Sequence, residues 1–82
     1  MIKKLDIKNM VSGVIANKVG CNKSDVKFGV GLSLNQLGAD SIEEVEIIMS
    51  LEEILKINIG EDITNENLKT VDGIIKYIEG VV

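Results

Sequence analysis

The sequence predicts an all-α fold, and three observations lead to this class. Apolar residues recur at helical spacing in three separate stretches, at residues 6–19, 41–55 and 70–80. The one alternating apolar run, from Val26 to Leu34, has no second run with which it could pair as a strand. The chain has 82 residues, which suits a single domain over residues 1–82 and is too short for two cores.

The first predicted helix begins at Asp6, whose side chain is suited to cap it, and ends at Val19 before Gly20. Residues 1–5 are expected to form a frayed lead-in. One face of the helix carries the apolar residues Ile7, Met10, Val11, Val14 and Ile15, which fall at the spacing of a buried stripe.

Residues 21–39 are expected to form a long loop that lies over the helices with its apolar side chains turned inward. Such a length is unusual for a connection without structure, so the loop is either partly helical or functional. We expect a short helical turn between Ser33 and Leu37.

The second predicted helix begins at Asp40 or Ser41 and ends near Leu55 or Lys56. Both starts form a capping box, because Glu43 and Glu44 follow them at a distance of three residues. An advance of about 100° per residue separates two apolar faces. The expected core face contains Ile47, Ile48, Leu51, Ile54 and Leu55. The opposite face contains Ile42, Val45 and Met49, and it is bordered by Glu43, Glu46, Glu52 and Glu53.

The rest of the chain predicts one or two short helical turns between Glu61 and Leu68, followed by a last helix. Thr70 is expected to cap this helix, which runs to Gly80. Its buried face is expected to contain Val71, Ile74, Ile75 and Ile78.

The composition argues against an enzyme and against a metal site. The chain has no His and only one cysteine, Cys21, so it lacks the usual nitrogen base and any Cys-rich zinc site. One unpaired cysteine and an N-terminus without a continuous apolar segment fit a cytoplasmic protein. Because no apolar run is long enough to span a bilayer, stable membrane insertion is not expected.

Charge is distributed unevenly along the chain. Residues 1–39 contain six Lys and two Asp, whereas residues 40–82 contain three Lys and eleven carboxylates. The second half should therefore repel nucleic acids and attract basic protein surfaces. The acid-bordered strip of the second helix is either packed under the long loop or a docking surface. The absence of basic residues between Asp40 and Leu55 favours docking, since helices that are merely solvated usually mix both charges.

Ser41 also has two interpretations. It is either a plain helix cap or a modification site, since the N–H groups and dipole at a helix N-terminus favour an attached phosphate.

The run Leu37-Gly38-Ala39-Asp40-Ser41-Ile42 closely resembles the phosphopantetheine attachment region of acyl carrier proteins. The resemblance continues through Val45-Glu46 and Met49-Ser50-Leu51-Glu52-Glu53 and reaches the last helix. It implies a four-helix bundle with a short third helix and a long loop between helices one and two.

The resemblance further implies that Ser41 receives 4′-phosphopantetheine from coenzyme A through a phosphopantetheinyl transferase, while Asp40 helps to arrange the transferase magnesium. Acyl groups would then be carried as thioesters for fatty-acid, other lipid or polyketide synthesis. The partner-binding residues it implies are Ile42, Glu43, Val45, Glu46, Met49, Glu52 and Glu53. Partner enzymes would dock through basic patches, and the carrier is expected to be a monomer. An acyl chain is expected to lie among Ile47, Leu51, Ile59 and Ile75.

The sequence departs from the family pattern at several positions. Ile42 replaces the commoner Leu, Ser33 an aromatic residue, and Gly60 a common proline. Two alternatives remain. One is a peptidyl or aminoacyl carrier, against which Ala39-Asp40 argues, and the other is an acidic helical interaction module that is never modified.

Overall fold

The computed structural model describes residues 4–60 and 66–81. It contains the helices α1 (Lys4–Val19), α2 (Ser41–Leu55) and α3 (Val71–Val81), with 3₁₀ turns at Lys23–Asp25, Asn35–Leu37 and Glu66–Lys69. Within these residues no β-strand is formed, and Ser33 and Thr70 make an isolated antiparallel bridge. The predicted all-α class is confirmed, as is the interpretation of residues 26–34 as a loop.

The fourth helix of the expected bundle falls largely outside the described residues. We predicted one or two helical turns between Glu61 and Leu68, and residues 61–65 of that segment are not described. The 3₁₀ turn Glu66–Lys69 is the described part that adjoins α3.

α1 ends where the sequence predicts but begins earlier. It starts at Lys4, so Asp6 lies in the first turn rather than at the cap, and the predicted lead-in is wrong for residues 4 and 5. An acid in the first turn still favours the helix through its dipole. At the other end, Gly20 has a φ of 78°, and its N–H donates to the Ala16 carbonyl at 2.9 Å. This left-handed residue ends the helix as expected.

The core is a single cluster of aliphatic side chains between the three helices and the long loop. From α1 it takes Ile7, Val11, Ile15 and Ala16. Met10 and Val14 are only half-buried, so the buried stripe of α1 is narrower than predicted. From α3 it takes the four predicted residues, Val71, Ile74, Ile75 and Ile78.

The long loop is packed onto the core, as predicted. Val26, Leu34 and Ala39 are buried, whereas Val30 is exposed. The expected helical turn is present at Asn35–Leu37. The loop is therefore a folded part of the domain rather than a free connection.

The loop is held by the start of α3. The Leu34 N–H donates to the Lys69 carbonyl and the Val71 N–H donates to the Leu32 carbonyl, each at 2.9 Å. The Asp72 carboxylate accepts from the N–H groups of Gly29 at 2.7 Å and Gly31 at 3.1 Å. These backbone hydrogen bonds hold the pKa of Asp72 below its ordinary value of 3.8.

Gly73 allows the chain to turn tightly into α3. A Cβ at this position would overlap the Asn67 carbonyl oxygen and lie 2.7 Å from the Thr70 hydroxyl. That hydroxyl accepts the Gly73 N–H at 3.0 Å, so Thr70 caps α3 as predicted. The close approach explains why the first turn of α3 contains a glycine.

Candidate functional site

The start of α2 is closed by Asp40. This residue has an extended backbone, and its Oδ1 accepts the Glu43 N–H at 2.8 Å. In return the Glu43 Oε1 accepts the Asp40 N–H at 3.2 Å. Of the two capping boxes that the sequence allows, the structure forms the one between Asp40 and Glu43.

Ser41 is consequently the first residue of α2 and not its cap. Its side chain is exposed, and its hydroxyl makes no hydrogen bond with the residues that the structure describes. The preceding Ala39 is buried at 1% exposure, and Gly38 has a φ of 101° that turns the chain into the helix. The loop thus fixes the backbone next to Ser41 and leaves its hydroxyl in solvent.

An apolar strip extends from Ser41 along the outer side of α2. Ile42, Val45 and Met49 are 70%, 39% and 53% exposed, which is the arrangement that the helical wheel predicts. The alternative that the long loop covers this strip is therefore wrong. Large apolar side chains in solvent often mark a binding surface, and their role in partner binding stays a prediction.

The four acids beside this strip have different environments. Glu53 is exposed, and Glu46 lies 4.0 Å from the Lys18 ammonium of α1. Glu43 belongs to the cap. The Glu52 carboxylate is used within the chain, where its Oε2 accepts the Ile59 N–H at 2.8 Å. Glu53 and Glu46 are thus the acids that a partner reaches most directly.

The inner side of α2 is buried over most of its length. Ile47, Ile48 and Leu51 are in the core and Leu55 is half-buried, as predicted. Ile54 was predicted to face the core, and this is wrong because its side chain is 51% exposed.

Ile54 is exposed because it borders an open groove of about 520 Å³ between α1 and α2. The opposite wall is lined partly by Gly13, which has no side chain with which to cover it.

The four residues expected to line an acyl pocket are all buried in the same cluster. Ile47 and Leu51 are 0% exposed, and Ile59 and Ile75 are 5% exposed. Ile75 also borders a surface cavity of about 280 Å³, to which Lys8 and Phe28 contribute. The interior at these residues is filled by their own side chains, so a guest would have to displace them.

The sequence reasoning missed three important contacts. Asp72 holds the long loop, Lys18 pairs with Glu46, and Glu52 holds the segment after α2. The two closely spaced glycines of Gly29-Val30-Gly31 were a usable signal for a contact such as that with Asp72, because glycines readily adopt the positive φ of an anion-binding turn. In the structure both have positive φ. Lys18 carried no local signal.

In residues 4–60 and 66–81, no three Cys, His, Asp or Glu side chains come together as a metal site, and no helix is long and apolar enough to cross a membrane. Cys21 is half-buried with a free thiol.

Comparison with known proteins agrees with the motif around Ser41. The sequence is 42% identical to the acyl carrier protein of Exiguobacterium sibiricum over 69 residues, which are 84% of this chain and 85% of that protein. It is 36% identical to the acyl carrier protein of Amoebophilus asiaticus over 74 residues, or 90% of each chain. The chain belongs to the acyl carrier protein family.

Membership of the acyl carrier protein family, which the run Leu37–Ile42 predicts, is thereby confirmed. A third relative, the acyl carrier protein of Trieres chinensis, is 32% identical over 74 residues. No family model matches the chain. Because the alignments cover about nine tenths of most of these acyl carrier proteins, the chain corresponds to nearly their full length.

Proposed function

We propose that this chain carries acyl groups as thioesters on a 4′-phosphopantetheine arm attached to Ser41, and that it serves fatty-acid synthesis or a related lipid or polyketide pathway. The supporting observation is that Ser41, at the first position of α2, is exposed and that its hydroxyl makes no hydrogen bond with the described residues. A carrier of this kind presents its cargo to enzymes and is not itself a catalyst.

The residues at the start of α2 fit an attached phosphate. The Glu43 N–H donates to the Asp40 side chain, and the Glu44 N–H donates to the Asp40 carbonyl. Those of Ser41 and Ile42 precede the first intrahelical hydrogen bond, so they and the helix dipole favour a negative group on the serine. The prosthetic group would supply the terminal thiol that forms the thioester.

Asp40 has two proposed roles. It holds Ser41 in place through the cap, and it helps a phosphopantetheinyl transferase to position magnesium. Its Oδ1 accepts the Glu43 N–H, and a carboxylate can accept further partners at its second oxygen. The two roles are therefore compatible in one exposed side chain.

The exposed strip of α2 is the proposed docking surface for the transferase and for synthase enzymes with basic patches. Ile42, Val45 and Met49 supply apolar contact, and Met49 adapts to surfaces of different shape. Glu46 and Glu53 supply the charge that steers a basic partner. Glu43 and Glu52 lie on the same helix and add to its negative field.

The acyl chain is proposed to enter the interior among Ile47, Leu51, Ile59 and Ile75. All four side chains are aliphatic and belong to one cluster, so a fatty chain would replace contacts of its own kind. Acyl chains of increasing length should raise Tm and shift the nuclear magnetic resonance signals of these residues. Unchanged shifts at all four positions would exclude this pocket.

The proposal also covers the architecture, the oligomeric state and the location of the protein. It includes a four-helix arrangement, of which three α-helices and the turn Glu66–Lys69 are described. It also includes a monomeric state and a cytoplasmic location, the latter expected from the single unpaired cysteine.

The decisive experiment is co-expression with a phosphopantetheinyl transferase, followed by intact-mass measurement. The wild-type mass should rise by one phosphopantetheine, and that of Ser41→Ala should not. Ser24→Ala is the matched control, because Ser24 is an exposed loop serine and its loss should leave the modification intact. An unmodified wild type, or a modified Ser41→Ala, would refute the proposal. The former result would favour an acidic interaction module.

The docking surface is tested by charge reversal. Changing Glu46 and Glu53 to Lys should weaken binding to the transferase and leave the far-ultraviolet circular dichroism nearly unchanged, since both side chains are exposed. Glu66→Lys, at an exposed acid outside α2, is the control and should bind like the wild type. The double variant changes the net charge twice as much as Glu66→Lys does. Weakening by Glu66→Lys to about half the extent of the double variant would therefore show a net-charge effect without a defined surface.

A further inference from the structure

The open groove between α1 and α2 is a second apolar surface, separate from the exposed strip of α2. It is lined by the side chains of Met10 and Val14 from α1 and of Ile54 from α2. Ile54 is 51% exposed, although it has the helical phase of the buried face of α2. A cluster of apolar side chains that is open to solvent is typical of a surface that binds another molecule.

Gly13 keeps this groove open. Asn9, Gly13 and Asn17 are spaced four residues apart, so they form one row along α1. A Cβ at Gly13 would meet no atom within 4 Å, which leaves a notch at the centre of the row. Glycine in the interior of a helix is unfavourable. A notch that receives a side chain of a partner explains why a glycine is present there.

The two edges of the groove differ in charge. On the α1 edge, Asn9 and Asn17 are exposed and neutral. On the α2 side, the exposed acids Glu46 and Glu53 fall between the strip and the groove, at roughly 120° to 140° around the helix from Ser41. A molecule that lies along the groove therefore meets carboxylates on one side and amides on the other.

The groove also lies on the side of α2 that faces away from Ser41. At about 100° per residue, Ser50 and Ile54 lie roughly 180° and 220° around the helix axis from Ser41. The exposed strip lies between them and Ser41, at roughly 40° to 100°. A partner in the groove consequently leaves Ser41, and any group attached to it, uncovered.

We propose that the groove between α1 and α2 is a docking site for an amphipathic helix of a partner protein, with an apolar ridge and basic residues along one flank. A helix fits because its rows of side chains pack as ridges into the groove between two other helices. One apolar side chain enters the notch at Gly13, and the basic flank faces Glu46 and Glu53. This site goes beyond the carrier function, since the partner binds whether or not Ser41 is modified.

The probe for this site is a fluorescently labelled helical peptide with Leu at positions i, i+3, i+4 and i+7, Lys on one flank and Gln on the other. A peptide with Glu in place of each Lys is its control. Because of the acidic edge, the unmodified protein should bind the Lys peptide at least about tenfold more tightly than the Glu peptide. Fluorescence anisotropy measures both affinities. Binding of neither peptide, or equal binding of both, would overturn the proposal.

Substitutions in the protein locate the bound peptide. Gly13→Leu fills the notch and should weaken binding of the Lys peptide by at least about tenfold. Gly80→Leu is the matched control and should bind like the wild type, because Gly80 is also helical and a Cβ there also meets nothing within 4 Å. Far-ultraviolet circular dichroism verifies that both variants fold.

Two further variants test the groove from its α2 side. Ile54→Ser removes an apolar contact without filling the notch, and it should also weaken binding of the Lys peptide. Met49→Ser changes the exposed strip and should leave the affinity within about twofold of the wild type. If Met49→Ser weakens binding as much as Gly13→Leu does, the peptide lies on the strip and the proposal is wrong.

The carrier function is tested separately with the same samples. Protein treated with phosphopantetheinyl transferase and coenzyme A should bind the Lys peptide as tightly as the unmodified protein does, since the groove faces away from Ser41. Loss of peptide binding on modification would overturn the proposal. If the mass does not rise but the peptide still binds in the groove, the carrier function is refuted and the groove remains a docking site.

Discussion

α2 and α3 both begin with a capping side chain and an acid in the first turn, but the two starts are used in opposite ways. At α3, Thr70 caps the helix and the Asp72 carboxylate binds the N–H groups of Gly29 and Gly31. At α2, the side chains of Asp40 and Glu43 accept only each other's N–H groups among the described residues. The polar groups of one start hold a loop in place, and those of the other leave a serine in solvent.

The comparison shows how a helix N-terminus can leave one exposed residue without a structural role, as the proposed modification of Ser41 requires. Because the cap of α2 is a self-contained pair of acids, the residue after it needs no role in folding. At α3 the corresponding residues, Val71 and Asp72, make hydrogen bonds with the loop, and a modification there would break these bonds. Ser41 is therefore separated from the stability of the domain, whereas Thr70 and Asp72 are part of it.

The largest expected effect is at the start of α3. Gly73→Ala should lower the free energy of unfolding by about 3 kcal/mol, because the new Cβ would overlap the Asn67 carbonyl. Urea denaturation measures this change.

Gly13→Ala in α1 is the control for Gly73→Ala. Its Cβ would meet nothing within 4 Å, so it should raise the free energy of unfolding by about 0.5 to 1 kcal/mol. Effects of the same sign at both glycines would show that helix propensity, and not the close approach to Asn67, decides the result.

Replacement of Asp by Asn should affect stability differently at Asp72 and at Asp40. Asp72→Asn should destabilise the protein by about 1 to 2 kcal/mol, since one of its two charge-assisted hydrogen bonds is lost and the other is weakened. Asp40→Asn should change stability by less than about 0.5 kcal/mol, because Asn caps helices as well as Asp does. Thermal unfolding measures both, and equal Tm shifts would contradict the distinction between the two starts.

Removal of the hydroxyl group should give a smaller difference in stability between Thr70 and Ser41. Thr70→Ala removes the acceptor of the Gly73 N–H and should destabilise by about 1 kcal/mol. Ser41→Ala should stay within about 0.5 kcal/mol of the wild type, as is usual for an exposed surface side chain. If the loss of the Ser41 hydroxyl destabilised as much as the loss of the Thr70 hydroxyl, Ser41 would be a cap after all.

The last prediction concerns pH. The folded pKa of Asp72 lies below its ordinary value of 3.8, so its contribution to stability is fully present above that pH and is lost as the pH falls through the lowered pKa. The stability difference between the wild type and Asp72→Asn should be constant near neutrality and shrink below about pH 3.8. Denaturation at a series of pH values checks this, and a difference that persists in acid would show that the carboxylate charge is irrelevant.

The sequence predicted those features that depend on local periodicity. The buried residues of α3, the two sides of α2 and the end of α1 at Gly20 all follow from spacing along one helix. The candidate site was predictable for the same reason, because Ser41 and the strip that follows it lie in one continuous stretch.

The sequence did not predict features that depend on which segments come together. Asp72 binds glycines that precede it by more than 40 residues, and no local pattern carries such a pairing. Ile54 has the helical phase of a core residue but lies beside an open groove, because Gly13 on the facing helix leaves the space unfilled. Glu52 looked like one more surface acid, since its bonds to Ile59 and Gly60 require the turn at Lys56.

The tether between Asp72 and the loop also has a consequence for the order of biosynthesis. A chain is made from its N-terminus, so Ser41 and α2 leave the ribosome before the residues that anchor the loop preceding them. Until residues 69–72 are made, the N–H groups of Gly29, Gly31 and Leu34 lack the oxygens that accept them, and the backbone before Ser41 is not yet fixed. Modification of the serine by an enzyme that reads a rigid helix start is therefore expected to wait until the C-terminal helix has docked.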